Sequence, residues 1–350
     1  MYYNIDNVDV NVVSQGADPM PVTMRDVAQK ADVSIKTVSR VVNDQSEISE
    51  ATRERVLAAI NELGYRPSRI ARAMVTQRTR TVGFIIPDIT NPFFSEVARG
   101  IQDAAQTNGY NVFMCNTEED PAEHLKILYS LADQGVDGLI IFSSAVSDDD
   151  LNHFADSFRP IVAINRLTDH PSISRIIVDN YRGARLAVDH LVAQGHTAIG
   201  MLSGPSGISL GRIRRMEGFC DGMRVHGLPV PDGWVVKVPP NMSYGREIVQ
   251  QLLTEHPEIT ALFCYNDLLA LGAIRACRDL GRRVPEDCAI IGFDDIQLAA
   301  MVIPALTTVH YDKYALGQTA MNRLLDMLND SDETFPQIDM NTKLVVRESA

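Results

Sequence analysis

No stretch of this 350-residue chain is apolar over the ~18–20 residues needed to cross a bilayer. Its opening, MYYNIDNVDVNVVSQ, lacks both the basic start and the apolar segment of an export signal. Cysteine is sparse: Cys115, Cys220, Cys264, Cys277 and Cys288 are odd in number, scattered and without a CxxC pair. That excludes a disulfide framework or zinc knuckle and fits a reducing compartment, so a cytoplasmic protein is expected. There is no P-loop, no GxSxG elbow and no clustered His/Cys set. The loop SGPSG (203–207) lacks the Lys-Ser/Thr of a phosphate cradle, and His190, His196 and His310 are scattered. Neither an enzyme nor a metal or other cofactor is expected. What remains is 45% apolar and 22% charged, an ordinary soluble composition with length for two or three domains.

The net charge of −13 is unevenly spread. Residues 24–80 hold 11 Lys/Arg against 7 Asp/Glu, whereas residues 81–350 hold 21 against 35. Five arginines (66, 69, 72, 78, 80) fall within 66–80, where there is no acid. A small basic head on a large acidic body is the asymmetry of a nucleic-acid module joined to something else. A merely solvated positive face is the bland alternative.

Residues 1–21 read as a disordered polar tail. From 22 to 66 the pattern is helical. Thr23 with Asp26 caps a first helix carrying Val27, Ala28 and Ala31 inward. Ser34 caps a second, with Val38, Val41 and Val42 inward, and Ser49 caps a third, with Val56, Ile60 and Leu63 inward and Gly64 as its stop. Residues 67–80 read as a hinge helix or linker. Beyond it, short apolar runs (82–87, 110–115, 138–142, 161–165, 198–204, 261–266, 288–293) alternate with helical stretches (93–107, 122–133, 180–194, 209–225, 243–255, 267–280). Continuous apolar strands between helices mean parallel sheets covered on both faces. About 270 residues fit two doubly wound α/β subdomains better than one. The expected N-subdomain is about 81–178 and 310–340, and the C-subdomain about 179–309 and 341–350. A ligand then sits in the loops at strand C-termini.

The first two helices, joined by Ala31-Asp32-Val33, have helix-turn-helix spacing, in which the second helix enters the major groove. Its outward residues are Ile35, Lys36, Thr37, Ser39, Arg40 and Asn43. Arg and Lys donate to guanine, Ile35 meets a thymine methyl, and Ser, Thr and Asn hold phosphates. Thr23 and Ser34, at the two helix starts, join this candidate set. A plain three-helix bundle with a polar face is the alternative. The stretches SIKTVSRVVN and ELGYRPSRIARAM resemble the recognition helix and hinge helix of the LacI/GalR family of bacterial transcription regulators, and the resemblance runs over residues 22–350. It implies a dimer on a pseudo-palindromic operator, with Arg69 and Arg72 of the hinge near phosphates and Met74, where the family usually has Leu, wedged into the minor groove. Asp32 stands where the family usually has Gly, and Asp tolerates a left-handed turn. Alone, 68–75 is too short for a stable helix, so it is expected to fold only when two copies meet on DNA.

In the body, Asn91, Phe93 and Phe94 follow the first strand, Asn165 and Arg166 the fourth, and Asn266 and Asp294 later strands. Arg215 lies in the helix after SGPSG, and Tyr311 at the chain's return crossing. Planar bidentate groups with aromatic rings suit the hydroxyls and C–H faces of a sugar. Each also has a plainer reading: Phe94 as core, Asn266 as a helix cap, Asp294 as a turn residue, and Arg215 as one of a solvated cluster with Arg212 and Arg214. The resemblance extends to periplasmic sugar-binding proteins with an NPFF loop and an Asp/Asn-Arg pair, and Asn165 stands where Asp is commoner. It implies a small-molecule effector, a mono- or disaccharide, between two subdomains, with purines as other small polar candidates. A transport or sensory sugar-binding protein is the alternative function, but that predicts an export signal and no basic head. The helices at 93–107 and 267–280 are candidate dimer surfaces.

Overall fold

The computed structural model describes residues 22–42, 48–65, 78–118, 120–142, 146–158, 160–204, 209–329 and 335–350. The tail 1–21, most of the hinge, and the candidate DNA contacts Asn43, Arg69, Arg72 and Met74 lie outside them. The chain divides into two compact units, Met1–Gln77 and Arg78–Ala350.

The first unit holds α1 (Met24–Ala31), α2 (Ile35–Val42) and α3 (Glu50–Leu63). Thr23 Oγ1 accepts from the Asp26 amide while the Asp26 carboxylate accepts from the Thr23 amide, a reciprocal cap that satisfies two otherwise orphan donors. Asp32 ends α1 in the left-handed region (φ 50°), so the turn survives without glycine. Ser34 Oγ accepts from the Thr37 amide and starts α2. Ser49 heads α3 through extended backbone only, because its hydroxyl meets Thr52 Oγ1 instead of an amide. Val27, Ala28, Ala31, Val38, Val41, Val56, Ala59 and Tyr65 form the core. It is small, and a unit of this size is marginal alone.

The second unit contains two six-stranded sheets. Sheet one comprises β1 (Thr81–Ile86), β2 (Asn111–Asn116), β3 (Gly138–Phe142), β4 (Ile161–Ile164), β5 (Ile173–Val178) and β11 (Ile338–Met340), in the order β11-β5-β4-β3-β1-β2, all parallel. Sheet two comprises β6 (Ile199–Ser203), β7 (Val235–Lys237), β8 (Ala261–Cys264), β9 (Ala289–Phe293), β10 (Thr307–His310) and β12 (Lys343–Val345), in the order β12-β10-β9-β8-β6-β7. Among the described strands only β12 is antiparallel, against β10. Strands such as Gly138–Phe142 and Ala289–Phe293 are buried along their whole length, the mark of a sheet covered on both faces.

The covering helices are α4 (Pro92–Thr107), α5 (Pro121–Asp133), α6 (Asp148–Ser157), α7 (Asn180–Ala193), α8 (Leu210–Val225), α9 (Met242–Glu255), α10 (Asp267–Asp279) and α11 (Lys313–Asn329). The chain passes between the sheets three times, after β5, after β10 and after β11. Helix α4 packs on α11 so closely that a Cβ at Gly100 would meet the Tyr314 carbonyl, and one at Gly317 the Val97 carbonyl. Helix α10 packs likewise on α9, so one face of each expected dimer helix is already covered.

Candidate DNA-reading and effector sites

On α2 the outward face carries Ile35, 45% exposed, beside the exposed Lys36. Thr37, Ser39 and Arg40 on the same helix are half-buried. The Thr37 and Ser34 hydroxyls are 2.9 Å apart, and the Thr23 hydroxyl donates to Asp26 at 2.8 Å. These small polar groups cap helices, so their hydroxyls lie at helix N-termini, where the backbone dipoles favour an anion.

In the body, each sheet reverses strand order beside β1 or β6, and the loops after the strand C-termini converge there. Asn91 Oδ1 caps α4 by accepting from the Phe93 amide (3.0 Å). That cap sets Phe93 edge-on to Phe94 and to Phe142 at the end of β3, and 5.9 Å from the Tyr311 ring. Tyr311 donates to Asp294 Oδ1 (3.2 Å). Arg215, buried on α8, donates to Asp294 Oδ1 (3.3 Å), to Asn180 Oδ1 (2.8 Å) and to the Tyr265 carbonyl. Its guanidinium lies 3.6 Å from the Phe293 ring centroid and 4.6 Å from that of Tyr265. Asn180 in turn donates to Asn165 Oδ1 (3.3 Å), which also accepts from the Val178 amide (2.9 Å), and Asn165 itself is left-handed (φ 54°). One polar chain thus runs from Asn165 on sheet one to Asp294 on sheet two, flanked by Phe93, Tyr311 and Phe293.

Burial pushes the Asp294 carboxyl up, while Arg215 and Lys313 pull it back toward the charged form. Burial, reinforced by Asp294, pushes the Tyr311 phenol well up, so it stays a donor. Two candidates are placed differently. Asn266 uses both polar atoms within the protein, Oδ1 capping α10 at the Leu269 amide (2.9 Å) and Nδ2 donating to the Pro240 carbonyl (3.2 Å). Arg166 Nη2 donates to the Val146 carbonyl and the Asp148 carboxylate, both at 2.7 Å, which ties it to the start of α6. Asn180, Phe142, Tyr265 and Phe293 belong to the cluster, though the sequence pattern does not single them out. Each is the last residue of a strand or sits within two residues of its end, which is the signal that marks them. Among the described residues, no group of His, Cys, Asp or Glu is arranged to hold a metal ion, and no helix is long and apolar enough to cross a membrane.

A helix-turn-helix unit on the same chain as a two-sheet body with a polar, ring-lined cluster at its strand ends defines a DNA-binding regulator with an effector domain. Residues 23–68 match the family described as bacterial regulatory proteins, lacI family. Residues 79–347 match the family of periplasmic binding proteins and the sugar-binding domain of the LacI family. The HTH-type transcriptional repressor PurR of Photobacterium profundum is 36% identical over 93% of this chain and 98% of its own length. The ribose operon repressor of Halalkalibacterium halodurans is 37% identical over 93% and 96%. The solved lac repressor dimer, bound to operator and the anti-inducer ONPF, aligns with a TM-score of 0.84 at 32% identity, covering 94% of this chain and 99% of that one. This chain belongs to the LacI family of bacterial regulatory proteins. It is a DNA-binding transcription regulator of the repressor type with a small-molecule effector domain, not an enzyme.

Proposed function

We propose that the chain works as a homodimer on a pseudo-palindromic operator and that a mono- or disaccharide in the body controls its grip. The observation that carries the sugar reading is the set Arg215, Asp294 and Tyr311 beside the rings of Phe93 and Phe293. A guanidinium beside a carboxylate matches vicinal hydroxyls, and the rings match C–H faces. Asn91 and Phe93 follow β1 of sheet one, whereas Asp294 follows β9 and Arg215 lies on α8 after β6 of sheet two, so a ligand touching both groups bridges the two sheets. Effector then favours one body arrangement, and affinity for the operator follows the share of molecules in it. On α2, Ile35, Lys36 and Arg40 read bases, while Thr23, Ser34, Thr37 and Ser39 hold phosphates.

The test is thermal unfolding of the full chain with D-ribose, D-glucose, D-galactose and cellobiose, and with hypoxanthine and guanine as the contrasting arm. One sugar is expected to raise the melting temperature, since binding at a hundredfold excess over Kd stabilises by about 2.7 kcal/mol. Stabilisation by a purine base and by no sugar overturns the sugar reading.

A further inference from the structure

Helix α11 touches the effector cluster at one end and the body's first residue at the other. At its N-terminus Lys313 is almost fully buried, and its ammonium donates to the carbonyls of Asp294 (2.7 Å) and Asp295 (2.8 Å) and lies 3.5 Å from Glu96 on α4. Those carbonyls belong to a loop with two consecutive positive-φ residues, 109° at Asp294 and 51° at Asp295, a conformation that persists only when its surroundings hold it. Asp295 is held further by Arg347 (2.7 Å) and His310 (2.8 Å). At the other end, Arg78 donates to the Leu328 carbonyl, in the last turn of α11, and to Asn329 Oδ1 (3.2 Å). Arg78 is where the chain leaves the body toward the DNA-reading unit.

Between these grips α11 has little freedom to bend. Its 17 residues span about 25 Å. Gly317 and Gly100 seat it against the α4 backbone, and Arg323 ties it to Ser174 (2.9 Å) and to the Pro336 carbonyl (2.8 Å). Helix α4 starts at Pro92, beside Asn91 and Phe93, and α11 packs on β3 and β4, so the α4–α11 pair lies on sheet one and reaches the 294–295 loop of sheet two through Lys313.

We propose that α11 is the rigid strut through which the state of the cluster reaches the linker, with Lys313 and Arg78 as positioning residues at its two ends. This rests on the reading of the cluster as the effector site. A shift of the 294–295 loop draws on Lys313, the helix moves as one piece with α4, and Arg78 carries the displacement to the chain's exit. Packed elements move as units because their cores do not deform continuously. Thermodynamic linkage makes the coupling reciprocal.

Residue-resolved hydrogen exchange on the full chain, free of any small molecule, tests it. The Thr79 and Arg80 amides report the exit, since both donate to the Asp137 carboxylate (2.7 and 2.9 Å). The Asp294 and Ile296 amides report the cluster end, being bonded to the Val309 carbonyl and to Asp267. Relative to the Leu262 and Phe263 amides of β8, Lys313→Met is expected to speed exchange at Thr79 and Arg80 at least about fivefold, the lower end of measured site-to-site coupling. Arg78→Ala is expected to do the same at Asp294 and Ile296. Changes confined to the altered end, or rising only in step with β8, overturn the proposal. Should Lys313→Met fail to fold, Arg78→Ala alone decides it from the other end. No ligand is present, so a failed sugar screen leaves this result standing.

Discussion

Arg215 is the residue on which the body's site depends. Its side chain is 5% exposed and that of Asp294 9%, with the guanidinium shared among a carboxylate, an amide oxygen and a carbonyl. Removing one partner of a buried pair costs about 3–5 kcal/mol when nothing else compensates the remaining charge, and the lower end applies here because Lys313 and Tyr311 still face Asp294. Arg215→Ala is therefore expected to lower the unfolding free energy by that order in urea titration and to abolish effector-induced thermal shifts. His124, at the start of α5, makes a second residue-scale case. It is buried, its Nε2 has no hydrogen-bond partner among the described residues, and burial with nearby Arg166 lowers its pKa from 6.5 to about 4. Between those values the unfolded chain binds the extra proton. This contribution to stability is therefore complete above pH 6.5 and is lost as pH falls toward 4, about 3 kcal/mol in all. In His124→Gln that part of the acid-side loss should vanish. Urea titrations at pH 7 and pH 4.5 that show the same drop in both proteins would refute it.

Among the elements, legibility in the sequence follows strand length and burial. The buried runs IIF, ALFC and AIIGF are apolar throughout, and the structure makes each a central strand. The strands Val235–Lys237, Ile338–Met340 and Lys343–Val345 escape pattern reading, being three residues long, half-exposed and paired with partners far along the chain. The strand Ile173–Val178 escapes because its Ser and Arg interrupt the apolar run. The same logic divides the site. Residues directly after strands were readable by type, whereas Lys313 was not, because its partners are backbone carbonyls 18 and 19 positions away. Asn266, whose type and position suit both a ligand contact and a helix cap, makes the cap: its Oδ1 accepts from the Leu269 amide, as Asn91 Oδ1 does from Phe93. Helix contacts also yield a prediction. Gly317→Ala forces a methyl into the Val97 carbonyl. Since backbone is harder to displace than a side-chain end, the α4–α11 seam should open at a cost of about 1–3 kcal/mol, read as a lower urea midpoint.

The whole molecule joins two units of opposite charge balance: a head with 11 bases and 7 acids over 24–80 and an acidic body. The head's hydrophobic core is far smaller than the body's. A basic module of this kind draws affinity from phosphates and selectivity from a few side chains. The most direct measurement is fluorescence anisotropy of the full chain, and of Arg40→Ala, on DNA fragments selected from random sequence, with and without whichever panel sugar raises the melting temperature. The parent is expected to prefer one pseudo-palindromic sequence and to change its affinity about 5–150-fold when that sugar is added. Arg40→Ala should lose about 1–3 kcal/mol of discrimination at its base pair. Equal binding to every fragment, unchanged by every sugar, would contradict the account.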